Sequence, residues 1–128
     1  MNTRAIRAER AEVFRAVQRA RRIAPTALGL PGLTWEDRNG LRIGSVYFAT
    51  TAAGAVKIGW GTEVRDRILA LRVDSGRRLS IKLIVAPATT RNERALHEFF
   101  AEERTAGEFF SGPRIEAFLA QHTERPAP

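Results

Sequence analysis

The chain has 128 residues, a net charge of +7 and no cysteine. A chain of this length fits one domain with a sizeable core, and the absence of thiols excludes disulfides and thiolate-held metals. No apolar run approaches the ~20 residues of a membrane span, and the charge-studded N-terminus does not read as a secretory leader, so the expected location is the reducing cytoplasm.

The basic balance is informative. Only Lys57 and Lys82 are lysine; the other 19 of the 21 basic residues are arginine. The planar guanidinium fork matches phosphate, so a polyanion partner is expected, most naturally nucleic acid. Arginine-rich codon usage would give the same balance, and the abundance of alanine fits it.

In chain order, residues 3–23, "TRAIRAERAEVFRAVQRARRI", read as a helix with Thr3 as N-cap and Pro25 as the stop. Ile6, Val13, Val17 and Ala20 form a thin apolar stripe. Seven arginines here oppose only Glu9 and Glu12, a local net of +5. That pattern fits either the solvated face of a packed helix or a phosphate-contacting arm. Residues 24–43 carry Pro25, Gly29, Pro31, Gly32 and "RNG" and read as a linker or irregular wrap, with Trp35 packing onto the domain.

A denser series follows. Residues 45–50 and 55–60 read as a β-hairpin turning at "TTAAG". Residues 63–75 read as a helix, 79–86 ("LSIKLIVA") as a third strand and 89–105 as a long helix. "GEFF" breaks that helix at Gly107, and 112–122 read as a last short helix. The expected fold is α+β: a small, three-stranded, mostly antiparallel sheet in the order β-β-α-β-α-α, preceded by the basic N-terminal helix. The expected organisation is a basic helix and linker over 1–43, a compact domain over 44–122 and a tail over 123–128.

Several residues are out of place in a plain core. Tyr47 lies in "SVYF" and Lys57 in "VKIGW"; Arg67 follows ten residues after the lysine. "ERALHEFF" starts at Glu93 and "GEFF" at Gly107. Taken in order with their strand and helix context, these pieces resemble the GIY-YIG nuclease superfamily. The closer likeness is to its phage-encoded branch, in which "KIG" stands for the second tyrosine motif and "E-x-x-x-H-x-x-F" and "GE-W/F-F" follow. The match covers residues 44–110. The resemblance implies an endonuclease that hydrolyses DNA, with RNA left open, using Mg²⁺ or Mn²⁺.

The chemistry is coherent on its own terms. Phosphodiester hydrolysis needs a positioned water, a group to take its proton and positive charge near the developing oxyanion. A hard divalent cation can be held by one carboxylate together with substrate phosphate and water. Tyr47 is the candidate base or water-orienting group, its pKa lowered by nearby cations. Lys57 shares a sheet face with Ala55 and Gly59, small neighbours that leave open space for a phosphate.

The remaining roles come from the resemblance. Its spacing selects Arg67 over Arg65 as the phosphate clamp, leaving Arg65 solvated or on the backbone. Glu93 is the candidate metal ligand. His97, one helical turn on, contacts substrate or supports the site. Glu108 steadies the site from behind, Gly59 and Gly61 admit the phosphate closely, and Trp60 either stacks on a base or packs in the core. Glu98, Glu102 and Glu103 read as ordinary solvated acids. Two other functions fit the same sequence: a catalytically weak nucleic-acid-binding module of this fold, and an interaction protein docking an acidic partner through the basic helix.

Overall fold

The structure, a computed structural model, describes residues 3–40, 42–75 and 78–123, with no side-chain description for 73–75. All but the first residue of the expected tail lies outside the described residues. The chain runs α1 (Thr3–Arg19), β1 (Arg21–Ile23), α2 (Trp35–Gly40), β2 (Gly44–Thr50), β3 (Val56–Gly61), α3 (Val64–Ser75), β4 (Ser80–Ala88), α4 (Thr90–Phe99), β5 (Arg104–Ala106), β6 (Phe109–Phe110) and α5 (Pro113–Thr123).

The α+β class stands, but the small three-stranded sheet is overturned. The sheet has six strands in the order β1-β4-β2-β3-β6-β5, and it is mixed: β1 runs parallel to β4 while the other pairs are antiparallel. The three expected strands form its middle. β1 was hidden in the helical reading of 3–23, where arginine and alanine favour a helix; pairing of Arg21–Ile23 with Leu83–Val85 overrides that propensity. β5 and β6 form a hairpin about Gly107, whose φ of +56° suits a turn glycine. The long helix expected over 89–105 therefore ends at Phe99, and a short 3₁₀ turn and β5 follow.

Alternation along the strands sorts side chains onto two faces. Val46, Phe48, Val56, Ile58, Leu83 and Val85 pack with Leu96 of α4, Phe100 just after it, and Ile115 and Leu119 of α5. Tyr47, Ala49, Ile81 and Ile84 face the other way, towards Val13 of α1 and Val64 and Ile68 of α3. Ile81 and Ile84 share a face despite their odd spacing because a register shift falls between Leu83 and Ile81 opposite β2.

The basic helix is thus docked, not free. Val13 is buried against the sheet, and Arg72 of α3 reaches Glu9 and Glu12 at 3.7 Å each. Residues 24–43 contain a 3₁₀ turn at Pro25–Leu28 and α2. Trp35 does not pack on the domain: it is 75% exposed. Among the described residues no helix is long and apolar enough to cross a membrane.

Candidate functional site

Tyr47 and Lys57 lie on the same face of the sheet. In the β2–β3 register Tyr47 is opposite Gly59 and Ala49 opposite Lys57, so the phenol and the ammonium are diagonal neighbours. The space beside Lys57 is not open, however. A Cβ at Gly59 would sit 2.2 Å from the Tyr47 hydroxyl, so the hydroxyl end of the tyrosine lies against the glycine. Gly59 admits the phenol, not a phosphate.

Arg67 arrives from the first turns of α3, passing over Gly61. Its guanidinium is close enough to Tyr47 to act on it as a donor and as a charge, yet the hydroxyl completes no regular hydrogen bond among the described residues. The outcome for Tyr47 reverses the expected direction. Burial of the phenol dominates and pushes its pKa up to about 12; Arg67 pulls it down, and the charges of Glu108 and Glu93 add to the rise.

Glu93 enters from α4, the helix whose Leu96 packs on the opposite face of the sheet. It is half-buried, and its carboxyl is held above the ordinary value of 4.5, first by burial and then by the charge of Glu108, against the pull of His97, Lys57 and Arg67. Glu108, just before β6, pairs with Lys57 at 2.7 Å, and the Lys57 ammonium also lies 5.1 Å from the centre of the Phe109 ring. Phe109 and Glu108 together hold an almost fully buried lysine in place.

His97 has a defined structural task. Its Nε2 lies 2.8 Å from the Ile58 carbonyl oxygen. A carbonyl can only accept, so Nε2 carries the hydrogen. The Ile58 N–H in turn donates to the Glu108 carbonyl at 3.0 Å. β3 is thereby fastened to α4 on one atom and to the Glu108 segment on another.

Other candidate residues are placed elsewhere. Arg65 turns towards α1, its guanidinium 4.8 Å from the centre of the Phe14 ring. Trp60 packs against the apolar cluster, its indole N–H donating to the Ala88 carbonyl at 3.1 Å, which favours the core reading over base stacking. Glu103 is not an ordinary solvated acid: it caps α5, accepting from the N–H groups of Arg114 (2.9 Å) and Ile115 (2.7 Å).

One supporting arrangement escaped the sequence reading. Asp37 of α2 is buried and pairs with Arg91 in the first turn of α4, two residues before Glu93. Thr34 and Asp37 cap α2 reciprocally, at 2.8 and 3.1 Å, and Asn92 donates to the Pro31 carbonyl at 3.3 Å. Thr89 and Asn92 form a second capping box at the start of α4. The segment before β2 is thus a clasp that fixes where α4, and with it Glu93, begins. "TWED" at Thr34–Asp37 is a capping pattern and was the available signal.

The cluster therefore brings a guanidinium, a buried neutral phenol, a buried ammonium and two carboxylates within electrostatic reach of one another. Compared with family models, with curated proteins and with solved structures, the chain finds no match.

Proposed function

We propose that this chain is a metal-dependent endonuclease of the cytoplasm that hydrolyses phosphodiester bonds in DNA. The observation that carries the reading is convergence: Tyr47, Arg67, Glu93 and Glu108 act on one another electrostatically although they come from β2, α3, α4 and the segment before β6. Lys57 on β3 joins them through Glu108. The resemblance of the same residues to the GIY-YIG motifs supports the reading.

The donor set suits a hard divalent cation such as Mg²⁺ or Mn²⁺. Glu93 and Glu108 repel one another through their charges, a strain that a dication between substrate and carboxylate relieves. Among the described residues no group of three or more His, Cys, Asp and Glu is placed to hold a metal. Glu93 would therefore hold the ion together with water and phosphate oxygens, a mode Mg²⁺ accepts. When bound, such an ion supplies charge neutralisation at the phosphate and leaving oxygen.

The protein groups divide the remaining work. Arg67 grips the non-bridging oxygens of the scissile phosphate with its fork. Lys57, oriented by Glu108, adds a second positive charge for the pentacoordinate transition state. Tyr47, neutral up to about pH 12, orients the attacking water through its hydroxyl; as a resting phenolate it would be vanishingly populated at neutral pH. His97 sets the height of β3 against α4 through Ile58.

The test is incubation of the purified chain with supercoiled and branched DNA, and with RNA, in Mg²⁺, Mn²⁺ or EDTA. Cleavage is expected with the metals and not with EDTA. Glu93→Ala should stop cutting and leave binding largely intact; a variant that nicks at the wild-type rate would refute the metal assignment. The burial of the Tyr47 hydroxyl favours one second reading, a nucleic-acid-binding module with little catalysis. Metal-independent binding without any cleavage would select it.

A further inference from the structure

The charges of α1 are segregated by its docking. Glu9 and Glu12 turn inward to Arg72, and Glu12 also pairs with Arg78. The arginines are left outward, and among the described residues Arg10, Arg15 and Arg22 make no ion pair. In their midst stands Phe14, 41% exposed and covered on one side by the Arg65 guanidinium.

Two cavities flank this ring in the cleft between α1 and α3. One, of about 500 Å³, is lined by Arg10, Arg15 and Arg65 together with Asp66. The other, of about 310 Å³, is lined by Arg22 and Arg65 with Glu63, and it reaches Ser45 and Thr62. Phe14 borders both. Ser45 is two residues before Tyr47 on β2 and so lies on the same sheet face. The cleft therefore opens onto the sheet face of the candidate site, about 7 Å away along the strand.

We propose that the α1–α3 cleft binds single-stranded nucleic acid flanking the scissile phosphate, with a base stacked on Phe14 and phosphates on Arg10, Arg15, Arg22 and Arg65. Its role as a flank rests on the nuclease reading of the Tyr47 site; the binding itself does not. Four guanidinia against two carboxylates favour a polyanion. An exposed aromatic ring between two cavities favours unpaired bases, because a duplex keeps its base faces stacked inside. Arg65 behind the ring completes a cation–π sandwich of the kind used with single strands.

The experiment is fluorescence anisotropy on the full chain in EDTA, with single-stranded DNA, single-stranded RNA and duplex DNA of one length. Phe14→Ala should weaken single-strand binding roughly 5- to 150-fold, the range of one lost base–aromatic stack, and leave duplex binding unchanged. The Arg10→Ala/Arg15→Ala double variant should weaken binding of all three and flatten the salt dependence. Preference between the DNA and RNA arms identifies the sugar. A folded Phe14→Ala protein that binds single strands like the wild type overturns the proposal, as does equal loss on single strands and duplex. Displacement of the oligonucleotide by polyglutamate, insensitive to Phe14, would assign the cleft to an acidic protein and also overturn it. Cleavage is read separately: a wild type that cuts nothing yet shows the Phe14-dependent preference keeps the cleft and removes the nuclease.

Discussion

The two faces of the sheet obey different rules. The face under α4 and α5 buries a continuous apolar cluster that includes Phe48, Ile58, Phe100 and Phe110, and the buried polar side chains Thr89 and Asn92 at the start of α4 satisfy each other in its capping box. The opposite face, under α1 and α3, buries a phenol without a regular hydrogen-bond partner and an ammonium held by a single carboxylate. Burying a polar group without a full set of partners costs stability. On the proposed nuclease reading that cost marks the α1–α3 face as the one shaped for chemistry, with Glu93 joining it from α4.

The sharpest way to break that comparison is at Tyr47. Tyr47→Phe removes a hydroxyl that has no regular partner, so thermal stability should hold or rise. DNA cleavage should fall roughly 10²–10⁴-fold. Equal losses of stability and rate would make the tyrosine a packing residue like its neighbours. Tyr47 is the protein's one tyrosine, so phenolate absorbance reports it alone. Its pKa lies above the unfolded value of 10.0, at about 12. The stability carried by the neutral phenol is thus fully present below pH 10 and lost as pH climbs through 12. An absorbance midpoint near 10 in the folded protein would contradict its burial.

On the apolar face the same kind of deletion should act on stability alone. Phe48→Ala leaves a cavity among fully buried neighbours and is expected to cost about 3–5 kcal/mol in urea unfolding. A smaller effect sits at Trp60, between the two regimes. Trp60→Phe loses the donation to Ala88 and should cost about 1 kcal/mol, with DNA affinity unchanged; a selective drop in affinity would restore the base-stacking role.

The smallest shift is expected at Glu93. Its folded pKa is raised, so its contribution to stability is present below the ordinary value of 4.5 and is lost as pH rises through the folded pKa. Glu93→Gln should therefore raise the melting temperature slightly at neutral pH, and the gain should vanish in acid. Mg²⁺ should raise the melting temperature of the wild type and not of the variant.

What the sequence shows depends on how local the determinant is. The β2–β3 hairpin, α3 and α4 were legible because alternation and helical spacing are written into a few adjacent residues. β1 was not, since Arg21–Ile23 become a strand only through Leu83–Val85, far along the chain. At Gly107 the break was visible, but the hairpin around it depends on pairing with β3. The polar residues of the candidate site could be named from order and spacing. Their state could not: burial reversed the expected pKa direction of Tyr47, and its phenol fills the space beside Gly59 that was expected to be open. The docking face of α1 was legible in part, since the stripe Val13, Val17 and Ala20 is the one that packs on the sheet, but the pairing of Glu9 and Glu12 with Arg72 of α3 has no signature within the helix.

The bond from His97 to the Ile58 carbonyl has a consequence for the behaviour of many copies in solution. β6 spans two residues, so it covers β3 only at Val56 and Lys57. Where it runs out, the Glu108 carbonyl takes the Ile58 N–H and the imidazole takes the carbonyl. A bare strand edge is a template on which a neighbouring chain can add. Here a helix side chain extends by one residue, to Ile58, the cover that a short strand begins. Loss of the imidazole would first be felt not as missing helix but as polymer: turbidity and early-eluting species at high concentration, from molecules that are each still folded.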